Sequence, residues 1–455
     1  MSEELREALA AANVTPLIQK QIDPNLLEYV RRYSPLVTTL PTVEWGSTVY
    51  YFNERSALGG SNGGFVTDGG ANSVTTSTYA QNSFTVKLLQ NVGSVTGFAQ
   101  AVTRDLIGDL KAKEVEGSAL GMTFDIENAF LWGNATATAN GKYPQWDGFD
   151  TLVSDFSGSG SSNSKDEAGS NLTLAMLDTL IDSVEENAAM PLGSDWIIVC
   201  SPKMVSTIGQ LQTTNQRFIA PQVEVATGLN VLSYRDLGLV KSSYLSGRGL
   251  AGPTIASSGT AGFGGSLASS QAYYYQVAAV MSRFGETLPS VPAGGLTMTT
   301  ASTASSTVTF TVTSPATTLD SATAILYKVY RGTTASSLTL LGVVDGFDTG
   351  GTAASAIIDT GSNLQVNSAS VTGPTAYVGG NTGILPRATG SEDIFLIPKN
   401  EDFLVVPTTR EMNIINLAPT TSAPDTLPFA LVSDKCVAIR APKYVGRLRN
   451  VKTTI

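Results

Sequence analysis

Residues 251–378 carry eight charged side chains in 128 positions, whereas the other 327 positions carry 58. What fills the segment instead is a series of short alternating runs: "QAYYYQVAAV", "TVTFTVTSP", "AILYKVYRG", "LTLLGVVDGF" and "SAIIDTG". Short, evenly spaced strands joined by Gly, Ser and Thr predict a small β-sandwich. Helical patterning stops before this segment, and strands such as "DIFLIP" and "DFLVVP" resume after it. The sandwich therefore reads as an insertion into a domain already begun, and its removal is expected to leave the core fold intact.

The rest of the chain divides by pattern. Residues 1–44 read as an arm: a short amphipathic helix at Ser2–Ala12, then Pro16, Pro24, Pro35 and Pro41 at intervals too short for long elements. In residues 45–90 two alternating runs, "STVYYFNE" and "STYAQNSFTVKLL", flank the Gly-rich "RSALGGSNGGFVTDGGANSVTT". That pattern predicts a hairpin with arms of about 13 residues, ~45 Å long. A two-stranded hairpin is marginal by itself, so it calls for a partner, most simply another copy of the same chain. Across residues 99–134 apolar residues recur at helical spacing from Val102 to Phe130 with one slip of five, which predicts one long helix capped at Gly133. From Leu172 the pattern becomes α/β, with helix "LTLAMLDTLIDSVEENAA", strand "DWIIVC", and a helix whose N-cap is Ser201 and first residue Pro202.

Composition excludes more than it assigns. The formal charge is −10 and there is no histidine. An acidic chain binds phosphate backbones poorly, and the commonest general base and metal ligand is missing. Only 15% of residues are charged, which suits a subunit whose faces are covered by neighbours. Cys200 and Cys436 sit in apolar runs and read as buried free thiols. The N-terminus is acidic, and no run of 18 apolar residues occurs, so a soluble chain made in the cytoplasm is expected, with no membrane partner.

The order of parts resembles the major capsid protein family of tailed bacteriophages, the Hong Kong 97-like fold. "FDIENAFLWGN" followed by "WDGFDTLVS" looks like that family's passage from spine helix to peripheral sheet, and "CVAIRAPKYVGRLRNV" like its closing strand. The resemblance covers about 325 residues. It implies an α+β fold: N-terminal arm at 1–44, extended hairpin loop at 45–90, peripheral domain with spine helix at 91–171, axial domain at 172–250 and 379–433, return to the peripheral domain at 434–455. The insert at 251–378 resembles a fibronectin type III or immunoglobulin-like domain through "YYYQVAAVMSRFGETLPS", "VTFTVTSP" and "LYKVYRG", with Phe310 as the core aromatic. Its Tyr-rich strand comes early, so either the module is permuted or its strands pair differently.

By that resemblance the protein is a shell subunit and no enzyme, with no cofactor, catalytic residue or metal site. It assembles in the host cytoplasm into pentamers and hexamers of a virion capsid around double-stranded DNA. Portal, scaffolding and decoration proteins are its implied partners, with weak or indirect contact to the DNA. Because the chain starts at Met1 without an extended leading domain, scaffolding is expected from a separate protein. The rival readings are an encapsulin-like nanocompartment shell, a secreted β-rich adhesin and, third, an enzyme.

Sharper motifs weaken on inspection. "GGSNGG" at 59–64 lacks the Lys and Ser/Thr of a phosphate loop. Asp147, Asp150 and Asp155 cluster as a glycosidase pair would, without its fixed geometry, and "DGFDTGG" at 345–351 lacks the alternating ligands of a calcium loop. No lysine lies between Lys20 and Lys87, so the hairpin tip has no amine for the isopeptide bond that some members of the family form. Lys435, Arg440, Lys443, Arg447, Arg449 and Lys452 form a basic C-terminal stripe with no acid after Asp434, which is read as contact with a neighbour's acidic face ahead of contact with packaged DNA.

Overall fold

The computed structural model describes residues 34–59, 65, 67–70, 75–104, 108–136, 144–157, 163–215, 222–226, 229–245, 250–256, 260–290, 296–299, 306–315, 323–346, 355–362, 364–367, 384–421 and 424–453. The helix expected at residues 2–12, most of the arm and much of the hairpin tip lie outside these. The described chain is α+β, in two compact units. One comprises residues 1–31, 91–119 and 414–431, the other residues 32–90, 120–413 and 432–455.

The larger unit begins with α1 (Leu36–Thr39), β1 (Thr42–Glu44), β2 (Val49–Ala57) and β3 (Thr78–Thr85). β2 and β3 form a two-stranded antiparallel sheet running from Val49↔Thr85 to Ala57↔Thr78. Its paired part is nine and eight residues long, ~30 Å, shorter than the spacing of strand-like residues predicts.

Next come β4 (Lys87–Thr96), α2 (Gly97–Thr103) and α3 (Leu110–Trp132). The single helix expected across 99–134 is therefore two. Gly108 takes a left-handed φ of +82°, which interrupts the helix, and the Asp109 carboxylate then accepts the Ala112 amide at 3.2 Å, starting α3 as an N-cap does. Hydrophobic spacing alone does not register such a local competitor for backbone amides. From Gly121 to Trp132 nearly every α3 residue is buried, and Gly133 closes the helix with its amide on the Ala129 carbonyl.

Beyond α4 (Phe149–Ser157), the larger unit contains β5 (Ser164–Asp166), α5 (Leu174–Ala188), β6 (Trp196–Cys200), α6 (Pro202–Asn215), β7 (Gln222–Ala226), β8 (Leu229–Tyr234) and β9 (Leu237–Lys241). Ser201 accepts the Met204 amide at 3.2 Å, so the cap read from the sequence forms. The insert region supplies β10 (Thr254–Ile255), β11 (Thr260–Leu267), β12 (Ala272–Met281), β13 (Gly285–Glu286), β14 (Leu296–Thr299), β15 (Ser306–Thr313), β16 (Ala324–Gly332), β17 (Thr339–Asp345), β18 (Ser355–Asp359) and β19 (Leu364–Asn367). The chain ends with β20 (Ser391–Pro398), β21 (Leu404–Asn416), β22 (Thr426–Lys435), β23 (Ala438–Ile439) and β24 (Gly446–Lys452).

Three sheets organise this unit. A seven-stranded mixed sheet has the order β5-β24-β20-β6-β9-β8-β7. Its apolar face, with Ile198, Cys200, Leu239, Ile394, Leu396 and Leu448, packs on Leu177, Leu180, Ile181 and Val184 of α5. Strands of the insert region form two five-stranded sheets, β10-β15-β18-β19 with β11 on β15, and β13-β12-β16-β17 with β14 on β12. Both contribute to one core, in which Tyr275, Val277 and Tyr327 face Val308, Phe310 and Ile357. The Tyr275 and Phe310 rings lie 5.0 Å apart. β12 and β16 are buried on both faces, because their second face is covered too: Ala278 and Tyr330 pack with Leu338 and Ile384. A strand buried on both sides reads as a continuous apolar run, and "YYYQVAAVM" and "AILYKVY" do.

In the smaller unit, β4 pairs with β22, the Gly97 amide donates to the Asp425 carbonyl at 2.9 Å, and the Phe98 amide to the Asp425 carboxylate at 3.1 Å. Val92, Phe98, Val102, Ile414 and Leu417 are exposed there.

Candidate functional sites: an exposed hairpin and a buried charge cluster

The hairpin is anchored at its base and bare beyond it. Tyr50 is buried against Val405 and Ala438, with the Trp45 ring edge-on at 4.8 Å, and the Arg440 Nε donates to its hydroxyl at 2.8 Å. Phe52 and Phe84 stack across the two strands at 5.9 Å. Farther out, Tyr51 is 51% exposed, Tyr79 69% and Phe65 96%. Among the described residues nothing covers these large aromatics.

The second feature is a cluster of eight charged side chains sealed inside the larger unit. It is built from the face of the mixed sheet opposite α5. Successive β-strand residues point to opposite faces, so Leu448 enters the α5 core while Arg447 and Arg449 turn the other way. Arg447 donates to Asp393 of β20 at 2.8 Å and pairs with Asp150 of α4 at 2.5 Å. Arg449 donates to Glu286 of β13 at 2.9 Å and to Asp166 of β5 at 3.2 Å. Lys328 of β16 bridges Glu286 at 2.9 Å and Asp150 at 2.7 Å. Arg387 reaches Asp393 at 3.1 Å, and the Tyr330 hydroxyl donates to Glu286 at 3.1 Å. Lys328, Arg387 and Arg447 also lie over the Trp132 ring, at 4.9, 5.5 and 5.9 Å, where its quadrupole attracts cations.

Four carboxylates meet four cations, so the cluster is neutral as a whole. Burial works to raise Glu286, and Lys328, Arg449 and Arg387 overcome it, holding that carboxyl well below its ordinary range. Burial likewise opposes the ionised form of Asp393, yet Arg387, Arg447 and Arg449 bring it down to about 2. Gly285 permits the approach. Its φ is +73°, and a Cβ there would collide with the Tyr244 carbonyl. The cluster joins α4, β5, β20 and β24 to β13 and β16. Its chemistry is cohesion.

These positions correct the sequence reading of the basic stripe. Arg447 and Arg449 are fully buried and Lys435 nearly so, the last paired with Glu411 at 2.8 Å. Arg440 lies on Tyr50 and is half-buried, as is Lys452, and Lys443 is exposed. The stripe faces inward because its strand lies against acids far away in sequence, which local charge spacing does not show. Of the three loop acids, Asp150 belongs to the cluster and Asp147 accepts the Ala135 amide at 2.8 Å. The Asp155 side chain lies outside the described residues, as do 60–64 of "GGSNGG" and 347–351 of "DGFDTGG". Cys200 and Cys436 are free and buried, and burial pushes the Cys436 thiol up to about 12 and that of Cys200 further. Glu286, Lys328, Arg387, Asp393 and Asp166 were not legible as a group. The available signal was Lys328 standing alone in the apolar run "AILYKVY", since a buried lysine needs a partner.

Residues 14–241, half of the chain, match the family model described as SU10 major capsid protein. No curated protein matches the chain. Among solved structures, the chain is similar to an encapsulin complex from Synechococcus elongatus PCC 7942, with 9% identity, 99% of this chain and 98% of that chain covered, and a TM-score of 0.49. It is similar to Mycobacterium phage Bobi at 10% identity, coverage of 97% and 99%, and TM-score 0.48. The capsid of Myoviridae phage XM1 gives 8% identity, coverage of 98% and 100%, and TM-score 0.48.

Proposed function

The chain belongs to the SU10 major capsid protein family, and from that premise we propose that it builds the icosahedral shell around the double-stranded DNA of a tailed bacteriophage, as pentamers and hexamers of one subunit. Its role is structural. The observation that carries the reading is the family match itself, which runs through the hairpin, α3 and the first strands of the mixed sheet. In this reading the fold is Hong Kong 97-like. Residues 1–44 are the arm, 45–90 a hairpin that laps an adjacent subunit, 91–171 and 434–455 peripheral, and 172–250 with 379–433 axial. Residues 251–378 are an immunoglobulin-like insertion. The exposed Tyr51, Tyr79 and Phe65 support the lapping role. Assembly takes place in the host cytoplasm with portal, scaffolding and decoration proteins, and contact with the DNA is weak or indirect.

Electron microscopy of the purified protein and of particles from producing cells tests this. Closed shells containing DNA are expected. Closed shells that never contain DNA would favour the nanocompartment, and the absence of shells under all conditions would sink the assembly role.

A further inference from the structure

Glu127 of α3 is 0% exposed, and its surroundings differ from those of every carboxylate in the charge cluster. Its Oε2 accepts the Val37 amide at 3.1 Å, and the Leu36 amide also donates to the carboxyl. Its Oε1 accepts the Ser242 hydroxyl at 3.4 Å. Two of these donors are the first amides of α1, which begin a four-residue helix and have no partner within it. α1 carries no ionisable side chain. The turn after β9 brings only the Tyr244 phenol, which lies 3.4 Å from Ser34 Oγ, and Lys241 at the end of β9 is exposed. On α3, Asp125 is committed to Arg283 at 3.0 Å. Among the described residues, no positive charge offsets an ionised Glu127.

α1 is followed at once by an anchor of its own. After it the chain is held independently, by the Pro41 carbonyl accepting the Val406 amide at 2.8 Å and by β1 on β21 from Thr42↔Val406 to Glu44↔Thr408. β1 and the hairpin beyond it are thus held without α1, whose own attachment adds the buried Leu36 and Leu40 to the contacts of Glu127.

We propose that Glu127 is a proton-dependent clamp on α1, closed while its carboxyl is neutral and released when the carboxyl ionises. The neutral acid accepts both α1 amides and is comfortable in a dry site. The ionised form binds those amides more strongly but leaves a lone buried charge, which costs several kcal/mol unless water reaches it. Lifting α1 admits that water. Burial raises the Glu127 carboxyl to about 8, against the opposing pull of the Val37 and Leu36 amides and the Ser242 hydroxyl. The closed form thus holds a proton that the open form, near the ordinary 4.5, gives up. Closure weakens as pH rises across that interval, and above about 8 the ionised form prevails.

Hydrogen–deuterium exchange of the full-length protein, followed on the peptide spanning residues 34–41 from pH 6.5 to 9.5 and corrected for intrinsic exchange, reads the clamp directly. Protection should fall by up to about tenfold per pH unit as pH rises toward 8 and level off above it. Glu127→Gln keeps an acceptor for the amides and cannot ionise, so its protection should stay level. Ser242→Ala removes a donor that favours the charged form, so the pH at which its protection levels off should move upward. Level protection in the unmodified protein, or a pH-dependent loss persisting in Glu127→Gln, would overturn the proposal. Where Glu127→Gln does not fold, a Ser242→Ala levelling pH that stays put or moves downward overturns it equally.

Discussion

Glu127 and Glu286 are both sealed from water and all but adjacent in space, since Asn128 accepts the Gly285 amide at 3.1 Å. Yet burial holds one neutral near pH 7, while cations hold the other ionised. Glu286 has Lys328 and Arg449 within 3 Å, and Glu127 has amides and a hydroxyl. Neutral donors stabilise a buried carboxylate too little to offset its lost hydration, whereas matched cations do so. The two regions consequently lose stability in opposite directions of pH. For the cluster, Asp393 is depressed from 3.8 to about 2, so its contribution is complete above 3.8 and fades only as pH falls toward 2. For Glu127 the loss comes as pH rises from 4.5 to about 8.

The largest break in this comparison removes the insert. Joining residue 250 to residue 379 takes away Glu286 and Lys328 and uncovers one side of the cluster, leaving Arg447 and Arg449 beside Asp150, Asp166 and Asp393. This expectation runs against the dispensability read from the sequence. We predict an insoluble or proteolytically open subunit, checked by expression and limited trypsinolysis; soluble, shell-forming protein would show that the cluster is not needed for cohesion. Next in size is Glu286→Gln, which leaves Lys328 and Arg449 short of one negative charge. It should cost about 3–5 kcal/mol in the denaturant midpoint of the unassembled subunit, and adding Lys328→Met should recover part of it. Equal losses from the single and double variants would show that the two charges are uncoupled. Smallest is a test of burial without charge matching at the two thiols. Cys200 and Cys436 should resist iodoacetamide at pH 8 in the folded protein and react fully once denatured, without any reductant, as followed by intact mass; alkylation of either in the folded state would contradict their burial.

The sequence made the β-rich insert region visible through its missing charge, and the α5, β6 and α6 run through periodicity and the Ser201 cap. It misread α2 and α3 as one helix because a glycine and an aspartate act within single turns, below the reach of an apolar repeat. It misread Arg447 and Arg449 as surface because their partners lie 54 or more positions away. Of the eight charges in 251–378, Arg283, Glu286, Lys328, Arg331 and Asp359 all stand in ion pairs. Scarcity itself was the clue, since a charge retained in so apolar a stretch is there to meet another. The exposed aromatics of the hairpin were legible as a pattern, though only the structure shows which of them the fold leaves uncovered.

Synthesis runs from the N-terminus, and Arg447 and Arg449 are the last of the eight cluster charges to leave the ribosome. Until they arrive, four carboxylates face only Lys328 and Arg387, and the site carries two negative charges it cannot bury. A chain that stops short of β24 keeps this region hydrated and open to proteases, however well its earlier strands have formed. Closing this part of the fold therefore waits on the last strand of the chain, whose two arginines complete the charge balance.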